Sequence, residues 1–232
     1  MSLAPTSLPQ DVPAAPIKRR GFKRWVFLAL MILGAAALCR VWWRGARIDS
    51  HEYSAAELEA GPISQVIQWH DGQHTAVQIS RLTPLSADHL WRVVTDQARF
   101  DEFMPYVQTT TIRPGPDGSI LESQILNLPH ADYELDLEIR LKESGDRRSA
   151  DWKQVKGVLP FNEGAWIVER VQDRSILRYQ VAASMDWVPQ FAVNSALRPR
   201  LNRLLQAVER RTRELEQSEP QYFRVWANGN GE

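Results

Sequence analysis

The stretch from Leu82 to Val107, LTPLSADHLWRVVTDQARFDEFMPYV, decides the fold. A strand ends at Leu82 and the chain turns at Thr83-Pro84, since proline holds the preceding residue extended and lacks an amide donor. A short amphipathic helix is predicted from Ser86 or Ala87 through Val94. It breaks at Thr95-Asp96, and a second short helix ends at Met104-Pro105. Two clipped helices between strands are uncommon, because most such connections carry one longer helix. Everything after this stretch reads as one antiparallel sheet closed by a long helix. Everything before it reads as a membrane anchor.

Downstream, Val107–Arg113 is a Thr-rich strand closed by Pro-Gly-Pro-Asp-Gly, with Ser119–Leu128 as its antiparallel partner. Asp132–Lys142 alternates strictly. Tyr133, Leu135, Leu137, Ile139 and Leu141 share one face, while charged residues occupy the other, so the sheet has a covered side and a wet side. Ser149–Val158 and Ala165–Val171 are further strands, and Ile176–Trp187 repeats the alternation. Upstream, Ile63–Trp69 and Thr75–Leu82 flank the turn sequence His-Asp-Gly-Gln-His and are predicted to form a hairpin. The closing helix starts near Pro189 and runs to about Leu215 or Gln217. Leu197, Leu201, Leu204, Leu205 and Val208 form its apolar stripe, and Pro199 predicts a kink. These elements define an α+β fold in which the helix lies across the apolar face of a curved sheet. Such a sheet gripping one helix leaves a space suited to apolar ligands.

The N-terminal region has a different character. Residues 1–17 are rich in Pro, Ala and Ser and read as disordered. The basic cluster KRRGFKR precedes an uncharged run from Trp25 to Cys39, and Trp42 and Trp43 close a 19-residue span from Trp25 to Trp43. At about 1.5 Å per residue that length crosses a bilayer, with Arg40 snorkelling and the tryptophans at the interfaces. Five basic residues before the uncharged run and three after it (Arg40, Arg44 and Arg47) favour the N-terminus in the cytoplasm and the C-terminal body outside. Two alternatives stay open: a signal peptide cleaved near Ala35-Ala36-Ala37, giving a secreted protein, and a buried soluble helix. The predicted organisation is therefore a basic tail (1–24), an anchor (25–43), a linker (44–61), a ligand-binding domain (62–217) and a flexible tail (218–232).

The zero net charge conceals an asymmetry. Residues 1–47 carry eight Lys/Arg and one acid, whereas the remainder carries 20 basic and 27 acidic residues. An acidic body argues against nucleic acid as partner, since phosphate neutralisation needs a basic surface. The single cysteine, Cys39, excludes an intramolecular disulfide. No GxSxG, HExxH, P-loop or GxGxxG occurs, so nucleophilic, zinc and nucleotide chemistries have no motif. No cofactor is implied, and the oligomeric state is not legible.

The pattern Pro84-x5-Trp91-x2-Val94-Thr95-Asp96, followed by Phe100-x2-Phe103-Met104-Pro105, resembles the opening of the START-like polyketide cyclase/dehydrase and lipid-transport superfamily, which includes the coenzyme Q-binding proteins. Phe161-Asn162-Glu163-Gly164-x-Trp166 and the Val188-Pro189-x-Phe191 entry into an Ala/Leu/Arg-rich helix are also similar. The resemblance covers roughly residues 75–215 and implies a helix-grip fold with an internal apolar cavity. It implies no single activity, because the superfamily holds binders, carriers and a few enzymes. Pro199 departs from the pattern, and the anchor sets this chain apart from the cytosolic, ribosome-associated branch.

The predicted pocket wall comprises Tyr133, Trp152, Phe161, Trp166, Tyr179, Met185, Trp187, Phe191, Leu197 and Leu201. The competing reading is that these residues simply fill a core. His70 and His74 flank Asp71-Gly72, so a turn separates them and no metal site is predicted. His130 with Asp132 reads as a solvated loop pair rather than an acid/base dyad. The arginines of the last helix, from Arg198 to Arg213, read as a solvated face, with anionic headgroups as the alternative partner. The leading expectation is a membrane-tethered domain that binds or carries a lipid, isoprenoid or quinone. The alternative is a cyclase- or dehydratase-like enzyme in the same cavity, which requires an inward acid/base group that the sequence does not reveal.

Overall fold

The computed structural model describes residues 48, 49, 51–128, 131–185 and 188–224. Eight strands follow in order: β1 (Ile63–Gln68), β2 (Thr75–Thr83), β3 (Val107–Pro114), β4 (Ile120–Leu128), β5 (Ala131–Ser144), β6 (Arg147–Lys156), β7 (Phe161–Val171) and β8 (Arg174–Ser184). The helices are α1 (Ala87–Thr95), α2 (Phe100–Phe103) and α3 (Gln190–Ser218). All strands pair antiparallel in one sheet of order β1-β2-β8-β7-β6-β5-β4-β3. The two-helix insertion after β2 thus sends the chain to the far edge of the sheet. From there it meanders back strand by strand until β8 pairs with β2.

The short helices form where the sequence predicts. Leu90, Trp91, Val93 and Val94 of α1 are buried to within 1 % of their surface. Asp88 sits on the opposite side and pairs with Arg148 and Arg170 at 2.8 Å each. The helix ends where the Thr95 hydroxyl donates back to the Trp91 carbonyl at 2.8 Å, and a turn of 3-10 helix at Gln97–Arg99 leads into α2. Helix α3 is continuous through Pro199, begins one residue after Pro189 and lays Leu201, Leu205 and Val208 into the core. It runs closest to β2 and β8, while α1 packs on β6–β8.

Several boundaries differ from expectation. β7 begins at Phe161 rather than Ala165, and β8 stops at Ser184. The tail expected to be loose after Ser218 is packed over residues 219–224. There the Tyr222 hydroxyl donates to Asp96 at 2.6 Å, Arg92 lies over its ring at 4.9 Å, and Phe223 stacks on His89. Tyr222→Phe removes one hydrogen bond to a carboxylate and is expected to cost about 1 kcal/mol, read as a lowered thermal midpoint. An unchanged midpoint would show that the segment contributes nothing to stability.

The predicted tail 1–24 and anchor 25–43 lie outside the described residues, as do Cys39, His130 and Trp187. Among the described residues, no helix is long and apolar enough to cross a membrane.

Candidate functional site

Alternation within each strand divides the sheet into two faces. The inner face, toward α3, carries Val77 and Ile79 (β2), Ile120 and Leu126 (β4), Leu135, Leu137 and Ile139 (β5), Ala150 and Trp152 (β6), Trp166 and Val168 (β7), and Leu177, Tyr179 and Val181 (β8). Trp152, Trp166 and Tyr179 form an aromatic wall in its middle. The Trp166 and Tyr179 rings lie 4.3 Å apart, and Trp152 and Tyr179 stack at 6.4 Å. Gly164 makes this wall possible. It faces Trp152 across β6 and β7, and a Cβ there would overlap both the indole and the Gln180 carbonyl oxygen.

Tyr179, Trp152, Leu126 and Leu197 keep some accessible surface although they point inward.

The predicted wall residues divide accordingly. Trp152, Trp166, Tyr179, Leu197 and Leu201 converge on this interior. Tyr133 shares the inner face of β5, opposite Leu126. Met185 bridges Val188 in the turn before α3, and Phe191 lies half-buried in the first turn of that helix. Phe161 requires correction. It lies on the outer face, packed with Trp69, Ala76 and Ala182 and stacked on His74 at 3.8 Å. The physical reason is register: β7 starts four residues earlier than expected, so Phe161 shares a face with Glu163 and Ala165 and Trp166 takes the opposite one.

The inner face also holds groups that the sequence reading missed. Glu122 and Gln124 of β4 pair with Leu137 and Leu135, so both point inward, and Glu122 is 1 % exposed. The Thr110 hydroxyl and the Gln124 amide both donate to its Oε1, at 2.9 and 2.6 Å. Burial pushes the Glu122 carboxyl up from 4.5 to about 7, with these two bonds opposing the shift. Burial, and then the nearby Glu122 charge, raise the Tyr179 hydroxyl well above its ordinary value. The available signal was the pairing of β4 with β5, because any β4 residue opposite an apolar β5 residue must face inward. A glutamate on a strand otherwise reads as a solvent-face residue.

A second polar group lies toward the start of α3. Gln190 donates to the Ala183 carbonyl and to Asn194, and Asn194 donates to Thr75, each at 3.0 Å. The outer face has its own open groove of about 760 Å³ over Ala165 and Ile167. Ion pairs surround it, including Arg140–Glu138 at 2.7 Å and Lys142–Asp151 at 2.6 Å, so its walls are polar.

An antiparallel sheet packed on one long helix, with an aromatic wall on its inner face, defines a helix-grip domain. Residues 83–209 match the polyketide cyclase/dehydrase and lipid transport family, and the chain belongs to that family. No curated protein matches the chain by sequence. Among solved structures, human StAR-related lipid transfer protein 5 is similar with a TM-score of 0.57 at 13% identity, covering 82% of this chain and 99% of that one. A STAR-related lipid transfer protein fragment from Xanthomonas axonopodis gives 0.56 at 17% identity, over 66% and 94%. The Zhui aromatase/cyclase from a Streptomyces species gives 0.54 at 12% identity, over 62% and 96%. At these identities the likeness is one of fold.

Proposed function

We propose that this domain binds an apolar small molecule, a lipid, isoprenoid or quinone, between the inner face of the sheet and α3. The observation that carries this reading is the accessible surface left on inward-facing Trp152, Tyr179, Leu126 and Leu197. The lipid-transfer names of two similar structures support it. The hydrophobic span 25–43 supports a tether that keeps the domain at a bilayer, with the domain on the extracytoplasmic side. Binding exchanges lipid surroundings for an apolar protein wall, so the net free energy is small and carriage is reversible.

The direct test is to purify the full chain from its native host and compare its solvent extract with the intact complex by mass spectrometry. One lipid-class molecule per chain is expected. An empty extract, together with no uptake of added lipids or quinones, would overturn the reading.

Glu122 favours a second reading, a cyclase-like enzyme, because it is an inward carboxyl held near neutrality and thus suited to proton transfer. The aromatase/cyclase among the similar structures is consistent with it. Turnover of an added polyketide that Glu122→Gln abolishes would establish this second reading.

A further inference from the structure

We propose that residues 51–60 are a docked strap that leaves the tether only residues 44–47 long, so that the domain loads and unloads at the bilayer in which it is anchored and does not reach across to a facing one. The inference deepens the carrier reading and rests on the anchor at 25–43 that belongs to it. From the sequence, all of residues 44–61 lie between the span and the body. In the structure the chain is engaged from its first described residues. Ile48 pairs parallel with Val66 on the edge strand β1, and the Asp49 amide donates to the Val66 carbonyl at 2.7 Å. The strap then crosses the outer face of the sheet. The Gln65 side chain donates to the His51 carbonyl at 2.9 Å, and Arg178 of β8 donates to the Tyr53 carbonyl at 3.0 Å. Glu52 pairs with Arg147 of β6 at 2.5 Å and lies 3.7 Å from Arg178, while Glu59 pairs with Arg174 at the start of β8 at 2.5 Å.

These are the contacts of a folded element rather than of a passing linker. Arg178 and Leu58 are each 2 % exposed. A guanidinium that deep needs partners. Glu169 and Glu52 pair with it and the Tyr53 carbonyl accepts from it, so two of its three partners come from the strap. The strap also fixes its own shape. The Ser54 amide and hydroxyl donate to the Glu57 carboxylate at 2.9 and 2.8 Å, which ties the start of the 3-10 turn Glu57–Ala60 and sets Leu58 beside β2.

The consequence is a matter of reach. With the strap docked, the free chain runs from Trp43 to Ile48 and extends to about 18 Å at most. With all of 44–61 free, the same rise per residue would give about 65 Å. A tether too short to span two surfaces reduces the effective concentration at the second one to almost nothing. Docking of the strap thus selects the domain's own bilayer as its membrane partner.

The test uses the full chain carrying Cys39→Ser and Pro62→Cys, with a fluorophore on the new thiol. It is reconstituted into phosphatidylcholine/phosphatidylglycerol vesicles whose headgroups bear a nitroxide, a short-range quencher. Strong quenching is expected. Inserting about 20 Gly/Ser residues between Ala46 and Arg47 adds about 25 Å of mean reach and should relieve the quenching at least about twofold. Leu58→Asp puts a charge into the buried foot of the strap and leaves the main core untouched, so it should relieve the quenching with no insertion at all. Equal quenching in the three proteins, or relief by the insertion alone, would overturn the strap as the element that sets the reach and leave the carrier reading intact. Protein that washes off the vesicles in alkaline carbonate would remove the anchor and this inference with it, while the ligand found by mass spectrometry would still decide the carrier reading.

Discussion

Gly164→Val should destabilise the domain by about 3 kcal/mol or more, among the larger costs for one substitution. The reason is geometric. Gly164 sits between Trp152 and Val181 in the middle of the sheet, and the space a side chain would occupy already holds the Trp152 indole and the Gln180 carbonyl oxygen. A flexible neighbour could rotate aside, but a backbone carbonyl held in the β7–β8 ladder cannot. Moving the indole would also break up the aromatic wall with Tyr179 and Trp166. Chemical denaturation of the wild type, Gly164→Ala and Gly164→Val should show a graded loss, with lost ligand uptake in whichever variant still folds. Wild-type stability in Gly164→Val would mean that the indole does not rest against this position.

Glu122 supplies the second large effect, and its sign is opposite to that of most carboxylates. Its folded value is raised from 4.5 to about 7, so the folded state holds the proton more tightly than the unfolded chain does. Below about pH 4.5 both states are protonated and burial of the neutral acid carries no ionisation penalty. As the pH rises from about 4.5 to about 7 the unfolded chain sheds this proton while the folded protein keeps it, so stability falls, and it levels off once the folded carboxyl ionises. The shift corresponds to a loss on the order of 3 kcal/mol, complete above about pH 8. Glu122→Gln should remove this slope and be more stable than wild type at high pH by up to about that amount. The difference between the two urea midpoints, followed across pH, isolates Glu122 from carboxylates such as Asp88 and Glu102, whose arginine partners hold them low. Parallel curves for the two proteins would show that the carboxyl is solvated.

Tyr179 and Glu122 were unequal problems for the sequence. Tyr179 lies on a strand whose alternation from Leu177 to Val181 assigns its face directly, and Trp166 and Leu201 were legible in the same way. The two clipped helices, the long final helix and the single antiparallel sheet followed from turn chemistry, periodicity and the Trp91–Pro105 pattern. All of these signals are local, because side-chain direction repeats every two residues in a strand and about every 3.6 in a helix.

The remaining features depend on contacts distant in sequence. Pairing of β4 with β5 turns Glu122 inward, and pairing of β7 with β8 turns Phe161 outward. Tyr222 and Phe223, which carry no periodic signal, find partners on and beside α1 only because α3 delivers them there. The sequence by itself determined which segments are strands and helices and which residues are apolar enough to meet. The tertiary structure decided which face each irregular residue takes, because a one-residue change of register reverses every side chain along a strand.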